Sequence, residues 1–524
     1  MANNLFTTVP MRKPGYNYFD FNHDVKLSFR MGELVPTCLV DVVPGDKFHI
    51  QVENFLRFAP LISPVMHRIN VTTHFFFVPN RILWDEWEDY ITGESSVAPP
   101  TIDGLSGIDV GDLSDYLGCP VNTTNSFNVS AFPFAAYALI WDEYYRDQNL
   151  QDEVFTPLVS GNNSANYGDL QAARPRSRAW MHDYFTSCLP FAQKGDDVLL
   201  PLGTFSDVDV VLDIQPTPNA GFQMRAADGS LIEGVSTLQS SDNPDGQLRG
   251  NNPIEAAYID PSGNLKAQTS DLEAQAADIN SVRRAFALQK WLEKDARGGT
   301  RYIENILAHF GVRSSDARLQ RPEYIGGSFQ RMTISEVLST AQTIDSTEAI
   351  VNPVGQMAGH GVSYGNGDRF TYYAEEHGWI LGLINVQPVT GYQQGIHRSL
   401  SRTDRFDYYW PSFAHIGEQA VLNKEVYVDQ AQADQDGTFG YIMRYAEYKY
   451  MNSRVAGEFR DTLDFWHLSR KFTAAPALNS AFVTCDPSTR IFAVDADDND
   501  TIYANVFNHM GAYRLMPRFG IPSI

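Results

Sequence analysis

Cysteine is scarce in this chain of 524 residues, and no two cysteines stand close together. A structural zinc site or a thiol redox motif needs a CxxC pair or a similarly short spacing, and the sequence has none. We therefore expect neither kind of site. The pattern favours four buried, unpaired thiols in a reducing compartment: Cys38, Cys119, Cys188 and Cys485.

Long apolar runs are missing as well. No run reaches the roughly 18–20 residues that a membrane-spanning helix needs. The first residues, MANNLFTTVPMRKPGY, lack the apolar centre of a signal peptide, which together with the absence of paired cysteines argues against secretion. A hydrophobic content of 43% and an aromatic content of 12% are instead typical of a globular protein with a large core.

The motifs of several enzyme classes are also absent. There is no GxxxxGK[ST] phosphate loop, no HExxH metal motif and no GxSxG nucleophile turn. The glycine pairs at 359–361 and 365–367 do not continue to a third glycine, as a dinucleotide-binding turn requires. We predict a protein that is not an enzyme and needs no cofactor. The two carboxylates of a glycosidase meet only in space, so that class stays open as an alternative.

Two groups of potential metal ligands have simpler interpretations. Residues 495–500, DADDND, begin like a calcium loop, but Asp500 stands where position six needs glycine and Val506 where position twelve needs glutamate. We interpret this segment as an acidic hairpin tip. The histidines on β-like or aromatic segments are interpreted as hydrogen-bonded residues of a sandwich, not as metal ligands: His67, His74 and His467.

Positive charge is in short supply, with 40 Lys and Arg against 63 Asp and Glu and a net charge of −23. Binding of phosphates needs clustered Lys and Arg, so any nucleic-acid surface of this chain must be local. The candidates for facing nucleic acid are Arg12 and Lys13 near the N-terminus and Arg283 and Arg284 in a predicted helix. For the last two, ordinary helix flanks are the favoured interpretation.

The clearest local signal in the chain is a helical pattern at residues 280–298. Apolar residues recur at i, i+3 and i+7 in two neighbouring stripes, which predicts an amphipathic helix that ends at Gly298-Gly299. Thr300 can cap a second helix that ends at Gly311. The apolar residues of the two predicted faces are Ile279, Val282, Ala285, Phe286, Leu288 and Leu292 in the first helix, and Ile303, Leu307 and Phe310 in the second.

Most of the remaining chain has the two-residue period of β-strands. Alternation at Phe48, Ile50 and Val52, and along residues 65–77, predicts long strands. The continuous apolar run WILGLINV at 379–386 predicts a strand that is buried on both faces. Strands towards both ends, with helices at 82–90 and 134–145 and long loops between them, predict one β-sandwich interrupted by large insertions.

Three segments stand apart from this pattern. Residues 1–23 form an extended N-terminal arm that is too aromatic for a solvated, disordered tail. Residues 196–270 are interpreted as an inserted surface subdomain, because short apolar pieces alternate there with Gly, Asn, Asp and Ser clusters. Residues 402–410, RTDRFDYYW, combine arginine with aromatic side chains. These could stack on single-stranded bases, but a packed aromatic core is favoured.

Several long segments, in the same order along most of the chain, closely resemble the major capsid protein of the microviruses, nearest to the gokushovirus-like branch. These are tailless icosahedral phages with a circular single-stranded DNA genome. The segments are VMHRINVTTHFFFVPNRILWDEWEDYITG, DYFTSCLPFAQKGDDVLLPLG, RRAFALQKWLEKDARGGTRYIENILAHFGVRSSDARLQRPEYIGG, SRTDRFDYYWPSFAHIGEQAVLNKEVY, RYAEYKYMNSRVAGEFRDTLDFWHLSRKF and RFGIPSI.

The resemblance implies a mainly β fold: an eight-stranded antiparallel jelly-roll sandwich with long helix- and loop-containing insertions. It implies that residues 24–524 form a single jelly-roll capsid domain. It also implies a T=1 icosahedral shell of 60 copies, arranged as pentamers around the genome. Residues 196–270 would then be a protrusion at the three-fold axes that contacts the host. The apolar face of the helix at 280–298 is expected to pack on the outside of the jelly roll.

The resemblance also implies partners. They are further copies of the chain, a small basic DNA-packaging protein, scaffolding and pilot or minor phage proteins, the single-stranded DNA genome and a host surface receptor. The protein would belong to the virion and assemble in the host bacterial cytoplasm. Because arginine and aromatic residues are enriched in interface cores, we select as candidate inter-subunit contacts Tyr16, Tyr18, Phe19, Arg313, Arg318 and Arg321.

Two other functions remain as alternatives. A glycan-binding or glycan-cleaving β-sandwich fits the fold, although no acid and base pair stands out. A sequence-independent single-strand DNA-binding protein is disfavoured by the net charge of −23.

Overall fold

The computed structural model of the chain describes residues 15–199, 279–340, 343–344, 350–352, 354–428, 434–494 and 499–519, with short strand pieces between 210 and 267. These residues belong to two compact units, one of Met1–Gly195 with Leu292–Ile524 and one of Asp196–Trp291. The predictions for Arg12, Lys13 and most of the segment 196–270 fall outside the described residues. Among the described helices, none is long and apolar enough to cross a membrane.

The elements alternate between strands and short helices. The strands are β1 (Asn17–Asp20), β2 (His23–Phe29), β3 (Val35–Val42), β4 (Lys47–Phe58), β5 (Ile69–Pro79), β6 (Thr101–Leu105), β7 (Phe127–Ser130), β8 (Val210–Leu212), β9 (Met224–Arg225), β10 (Gln239–Ser240), β11 (Leu248–Arg249), β12 (Tyr258–Ile259), β13 (Leu265–Ala267), β14 (Glu323–Arg331), β15 (Thr333–Leu338), β16 (Thr343–Ile344), β17 (Ile350–Asn352), β18 (Met357–Asn366), β19 (Phe370–Tyr373), β20 (Gly378–Pro388), β21 (Glu418–Leu422), β22 (Thr438–Met443) and β23 (Ile502–Arg514). The helices are α1 (Asn80–Leu83), α2 (Trp87–Thr92), α3 (Leu113–Tyr116), α4 (Phe132–Tyr144), α5 (Ser164–Gln171), α6 (Ile279–Gly298), α7 (Tyr302–Phe310), α8 (Asn423–Val426) and α9 (Ser480–Val483).

Two antiparallel sheets form the centre of the larger unit. A four-stranded sheet has the order β14-β5-β20-β3. A seven-stranded sheet has the order β1-β23-β4-β18-β15, with β2 also paired to β23 and β19 also paired to β4. Strand β23 thus lies between β1 and β2 on one side and β4 on the other, so the first and last described strands share one sheet. The prediction of a mainly β, antiparallel fold is confirmed.

The first hydrophobic core contains residues of both sheets. Phe48, Ile50 and Val52 of β4 are fully buried there, together with Phe75 and Phe77 of β5. The buried positions alternate with exposed or half-buried ones along β4, as the two-residue period predicted. The sandwich is therefore built from the alternating strands that the sequence indicated.

A second core covers the opposite face of the four-stranded sheet. Helix α4 buries Phe134, Tyr137 and Trp141 against side chains of that face such as Phe76 and Leu381. The hydroxyl of Tyr137 donates to the Leu34 carbonyl oxygen at 2.9 Å and accepts the Arg176 amide at 2.9 Å. Strand β20 is consequently buried on both faces along nearly its whole length, which confirms the prediction for residues 379–386.

A third core lies beside the sandwich. It contains buried residues of the β21–β22 hairpin and of the loop that precedes residue 189, among them Tyr184, Phe185, Val421, Phe439 and Ile442. This core supports the surface of residues 392–454, which is described below.

The helices depart from the predictions at their ends and in their packing. Two short helices, α1 and α2, replace the single helix predicted at 82–90, and Gly93 ends α2 in the left-handed conformation. Helix α7 begins at Tyr302, and the Thr300 hydroxyl bonds to Asn149 at 2.7 Å instead of capping the helix. Gly311 ends α7 with φ of +70°, as predicted.

The apolar face predicted for α6 includes exposed side chains. Ile279, Phe286 and Leu288 are all exposed, and the buried apolar positions are Ala285 and Ala296. The pattern identified the helix correctly, and packing of this face on the sandwich stays a prediction. A periodic stripe shows which residues share a face and not what that face contacts.

The three histidines agree with their interpretation, and three of the four cysteines are buried as expected. All four cysteines are unpaired thiols, with Cys38, Cys188 and Cys485 buried and Cys119 half-buried. The imidazole of each interpreted histidine is hydrogen-bonded: His67 to the Val389 carbonyl at 2.7 Å, His74 to the Tyr145 hydroxyl at 2.8 Å, and His467 to the Phe459 carbonyl at 2.7 Å.

Candidate assembly surfaces

The described part of the N-terminal arm pairs with the chain's own last strand. In the β1–β23 ladder Tyr18 lies opposite Tyr513 and Phe19 opposite Ala512. The Tyr18 and Tyr513 rings are 5.3 Å apart. Tyr16 and Tyr18 are exposed, whereas Phe19 is half-buried. The two tyrosines are therefore placed where they can contact another molecule.

Arg321 is engaged within the chain. Its Nε lies 3.5 Å from carboxylate oxygens of Glu143 and Asp316. Its guanidinium group stacks over the ring of Tyr144 at 4.5 Å, and the Tyr144 hydroxyl donates to the Pro322 carbonyl at 2.6 Å. Burial raises the pKa of Tyr144, so this hydroxyl is neutral and available as a donor. Arg321 thus anchors its coil to α4.

The other arginines singled out from the sequence lie on the surface. Arg313 and Arg318 are exposed on the coil between α7 and β14, and Arg283 and Arg284 are exposed on α6. These four arginines therefore lie on two different elements, two on the coil and two on α6. Among the three arginines selected as candidate inter-subunit contacts, Arg313 and Arg318 have exposed side chains, whereas Arg321 is buried.

Helix α7 presents an apolar face to solvent. Leu307 and Phe310, three residues apart on one face, are 47% and 76% exposed, and Tyr302 at the start of the helix is 71% exposed on a neighbouring side. Exposed apolar side chains that share one helix face are typical of a surface that another molecule covers. The sequence identified this face, since Leu307 and Phe310 were in its predicted stripe.

A cluster of aromatic and arginine side chains, the 402–450 cluster, covers another part of the surface. The Arg402 guanidinium lies 5.2 Å from the Tyr408 ring and 4.5 Å from the Tyr448 ring. It also lies 3.7 Å from Glu447, whose side chain is buried. The arginine is thus fixed between two rings and a carboxylate.

The 402–450 cluster is exposed, so the prediction of a packed aromatic core at residues 402–410 is wrong. Phe406, Tyr408, Tyr409 and Trp410 each have about half of their surface exposed. Phe406 lies in a short 3₁₀ turn, and Tyr408, Tyr409 and Trp410 lie in the irregular segment before the next such turn. Without a strand, the two-residue period that sorts side chains between a buried and an exposed face is missing. The partner segment RYAEYKY at 444–450 shows the same mixture of basic and aromatic residues and could have been recognised from it.

A cavity of about 660 Å³ opens beside this cluster. Glu425 lines it and is fixed there, because Arg398 Nη1 lies 3.1 Å away and the Tyr184 hydroxyl donates to Glu425 Oε2 at 2.9 Å. Burial raises the pKa of Glu425, although a backbone hydrogen bond and Arg398 act against the shift. Leu400 and Met451, both exposed, also line the cavity.

Comparison with known proteins gives one family and consistent relatives. The family model described as "Capsid protein (F protein)" matches residues 8–524. The chain is 36% identical to the "Capsid protein VP1" of Chlamydia phage 1, over 99% of this chain and 98% of the relative. It is 35% identical to the "Capsid protein VP1" of Bdellovibrio phage phiMH2K, over 99% and 97%. It is 32% identical to the "Capsid protein VP1" of Spiroplasma virus 4, over 96% and 94%.

Proposed function

The chain belongs to the capsid protein (F protein) family and is a structural, non-enzymatic protein, and from this premise we propose that 60 copies assemble into a T=1 icosahedral shell around a circular single-stranded DNA genome. The observation that supports assembly most directly is the amount of aromatic and apolar surface that the single subunit leaves exposed. The α7 face and the 402–450 cluster are the main examples. Family membership also sets aside the alternative of a glycan-cleaving enzyme.

The assembly proposal assigns these surfaces to contacts with further copies. A closed shell needs contacts between different patches of neighbouring subunits, repeated under one symmetry. Aromatic and arginine side chains are enriched in the centres of such contacts. The α7 face, the 402–450 cluster and the exposed residues Tyr16, Tyr18, Arg313 and Arg318 are the proposed patches.

The remaining architecture is part of the same proposal. The two sheets of the sandwich are proposed to be the eight-stranded jelly roll, with residues 24–524 as one domain and residues 1–23 as an arm that takes part in assembly. Pentamers are the proposed intermediates of the shell.

The net charge of −23 supports a division of labour in packaging. A shell of such subunits does not neutralise a genome by its average charge, so a small basic protein is the proposed DNA-packaging partner. Scaffolding and pilot or minor phage proteins are proposed to act during assembly in the host bacterial cytoplasm, with the virion as the final location.

Electron microscopy tests the assembly proposal. The purified full chain, with accessory phage proteins if it stays monomeric, should form isometric shells of uniform size in negative stain. A chain that stays monomeric even with those partners would overturn the proposal.

Residues 196–270 are proposed as the three-fold protrusion that contacts a host receptor. Deletion of about residues 215–250 should leave shells intact and reduce adsorption to host cells. Intact shells with unchanged adsorption would exclude the receptor role while leaving the capsid function in place.

A further inference from the structure

The two sheets of the sandwich differ in how they are covered. The four-stranded sheet has a hydrophobic core on each face, whereas among the described residues the seven-stranded sheet contributes to a core on one face only. In β23 the buried residues alternate with exposed or half-buried ones, and the same holds in β4. Every second side chain of these two central strands therefore points away from the core.

We call the uncovered side of the seven-stranded sheet its outer face. The ladders place its residues in rows across the strands: Tyr18 beside Tyr513, Lys47 and Tyr373; Asp24 beside Phe507, Glu53 and Asn366; Lys26 beside Asn505, Phe55 and Tyr364; Ser28 beside Tyr503 and Arg57. Five tyrosines of this face are exposed, and its two phenylalanines are half-buried.

Contacts within the outer face hold several of these rings in place. The hydroxyl of Tyr364 donates to Glu53 Oε1 at 2.8 Å, and His509 Nε2 lies 3.3 Å from Glu53 Oε2. The His509 ring packs edge-on against Phe507 with centroids 4.1 Å apart. The Glu53 carboxylate is thus paired on the sheet, and the surrounding rings are ordered before any ligand arrives.

One position shows how closely the rings approach the backbone. Gly511 lies in β23 beneath the Tyr18 ring, and a Cβ there would come within 2.6 Å of that ring. The absent side chain leaves room for the Tyr18 ring over the strand, where it packs at a tilt of 60° against Tyr513. Two exposed aromatic rings thus lie side by side at this corner of the sheet.

The composition of the outer face differs from that of the other exposed surfaces. Its exposed large apolar residues are five tyrosines and, on the β15 edge, Val337. The α7 face and the cavity beside the 402–450 cluster instead expose aliphatic side chains, Leu307, Leu400 and Met451. Protein interfaces are enriched in aromatic residues but depleted in Lys, Asp and Ser, and the outer face places Lys26, Lys47, Asp24 and Ser28 among its rings. A surface that stacks unpaired bases needs aromatic planes with such polar groups between them.

We propose that the outer face of the seven-stranded sheet is a stacking platform for unpaired bases of single-stranded DNA. The tyrosine and phenylalanine rings stack on bases, and Lys26, Lys47 and Arg57 contact phosphates. Binding is largely independent of sequence, because every base offers a plane for stacking. The inference rests on the proposed function, in which the shell encloses such a genome, and assigns one surface to it.

The test measures fluorescence anisotropy of a fluorescein-labelled oligodeoxythymidylate of about 20 nucleotides with the full chain at fixed salt. The variant Tyr364→Ser/Tyr503→Ser/Tyr513→Ser should bind about tenfold more weakly or worse, because each lost ring removes one stacking partner. The matched control, Tyr302→Ser/Tyr408→Ser/Tyr409→Ser, removes three exposed tyrosines outside the sheet and should change affinity by less than about twofold. A sheet variant that binds like the unaltered chain overturns the inference, as does an unaltered chain that does not bind.

A second measurement does not depend on how the variants fold. The unaltered chain is irradiated with an oligonucleotide that carries 5-iodouracil, and the crosslinked peptides are identified by mass spectrometry. Crosslinks should fall on residues 47–57 and 503–513, and crosslinks confined to other segments overturn the inference. The variant Tyr364→Phe/Tyr503→Phe/Tyr513→Phe keeps the rings and should retain binding.

Electron microscopy of the same preparations separates this inference from the proposed function. If the sheet variant forms normal shells and binds the oligonucleotide as tightly as the unaltered chain, the stacking platform is wrong and the proposed function stands. Absence of shells from the unaltered chain, even with the accessory phage proteins, overturns the proposed function, while the binding data still decide the platform. A sheet variant that binds the oligonucleotide normally but no longer forms shells would show that a second copy, and not DNA, covers this face.

Discussion

Arg174 holds both carboxylate oxygens of Glu33 with a pair of hydrogen bonds. Arg174 Nε donates to Glu33 Oε1 at 2.6 Å, and Nη2 donates to Oε2 at 3.0 Å. The same Nη2 donates to Asp500 Oδ1 at 2.7 Å. One guanidinium group thus joins the turn before β3, the loop after α5 and the segment before β23, which are far apart in sequence.

Arg174→Leu should destabilise the subunit by about 3 kcal/mol, because it leaves the buried Glu33 carboxylate without its cation. Thermal or urea unfolding of the unassembled chain measures this. The control is Arg318→Leu, which removes an exposed arginine and should change stability by less than about 0.5 kcal/mol. Equal effects of the two substitutions would contradict the structural role of Arg174.

Stability should fall as the pH drops below neutral, because two histidines are held neutral in the fold. Burial lowers the pKa of His67 and of His74 from 6.5 to about 4. Between about pH 4 and pH 6.5 these histidines bind protons in the unfolded chain and not in the folded chain, so lowering the pH favours unfolding. The expected loss is about 1.4 kcal/mol per pH unit for each histidine. Urea unfolding at pH 7, 6 and 5 measures it.

Substitution of these histidines measures how much of the pH dependence of the unfolding free energy they cause. His67→Gln and His74→Gln should each make the decline of unfolding free energy with falling pH shallower. His415→Gln, at an exposed position, serves as the control. If the two buried-site variants keep the slope of the unaltered chain, other groups carry the acid sensitivity.

Gly32 has no room for a side chain. Its φ is +90°, and an added Cβ would collide with the carbonyl oxygen of Cys485. Gly104 has a similar φ of +74° but open space around it. Gly104→Ala should cost roughly 1–2 kcal/mol from backbone strain, whereas Gly32→Ala should cost about 3 kcal/mol or more. Unfolding of both variants compares them, and a smaller loss for Gly32→Ala would refute the steric argument.

The α7 face should matter for assembly and not for folding. Leu307→Ser/Phe310→Ser removes exposed apolar side chains, so the unfolding midpoint of the subunit should stay nearly constant while the yield of shells falls. Val110→Ser, at an exposed apolar position elsewhere, is the control and should assemble normally. Shell yield is measured by sedimentation and negative-stain microscopy. Normal assembly of the double variant would remove α7 from the proposed contacts.

Local sequence patterns predicted strands and helices correctly where the apolar residues followed one clear periodicity. The alternation along β4 and the unbroken apolar run of β20 correspond to a strand with one buried face and a strand with two. The helix that begins near residue 280 and the ends at Gly299 and Gly311 were also predicted, because glycine takes the left-handed conformation there at little cost. These features depend on neighbours in sequence.

The predictions of packing were less successful. The 402–410 segment was expected in a core and is exposed. Arg321 resembles its neighbours Arg313 and Arg318 in sequence but is buried beside Glu143 and Tyr144. A residue's type and spacing do not specify which distant segment it meets.

The sequence by itself determined the family, the mainly β antiparallel character and the strands that alternate, because long segments and short-range periodicities carry that information. Only the tertiary structure decided that the first and last strands share one sheet, that α4 covers one sheet while the other keeps an aromatic outer face, and which arginines remain exposed. These outcomes depend on contacts between residues hundreds of positions apart. Burial and pairing are properties of the whole folded chain and not of any local segment.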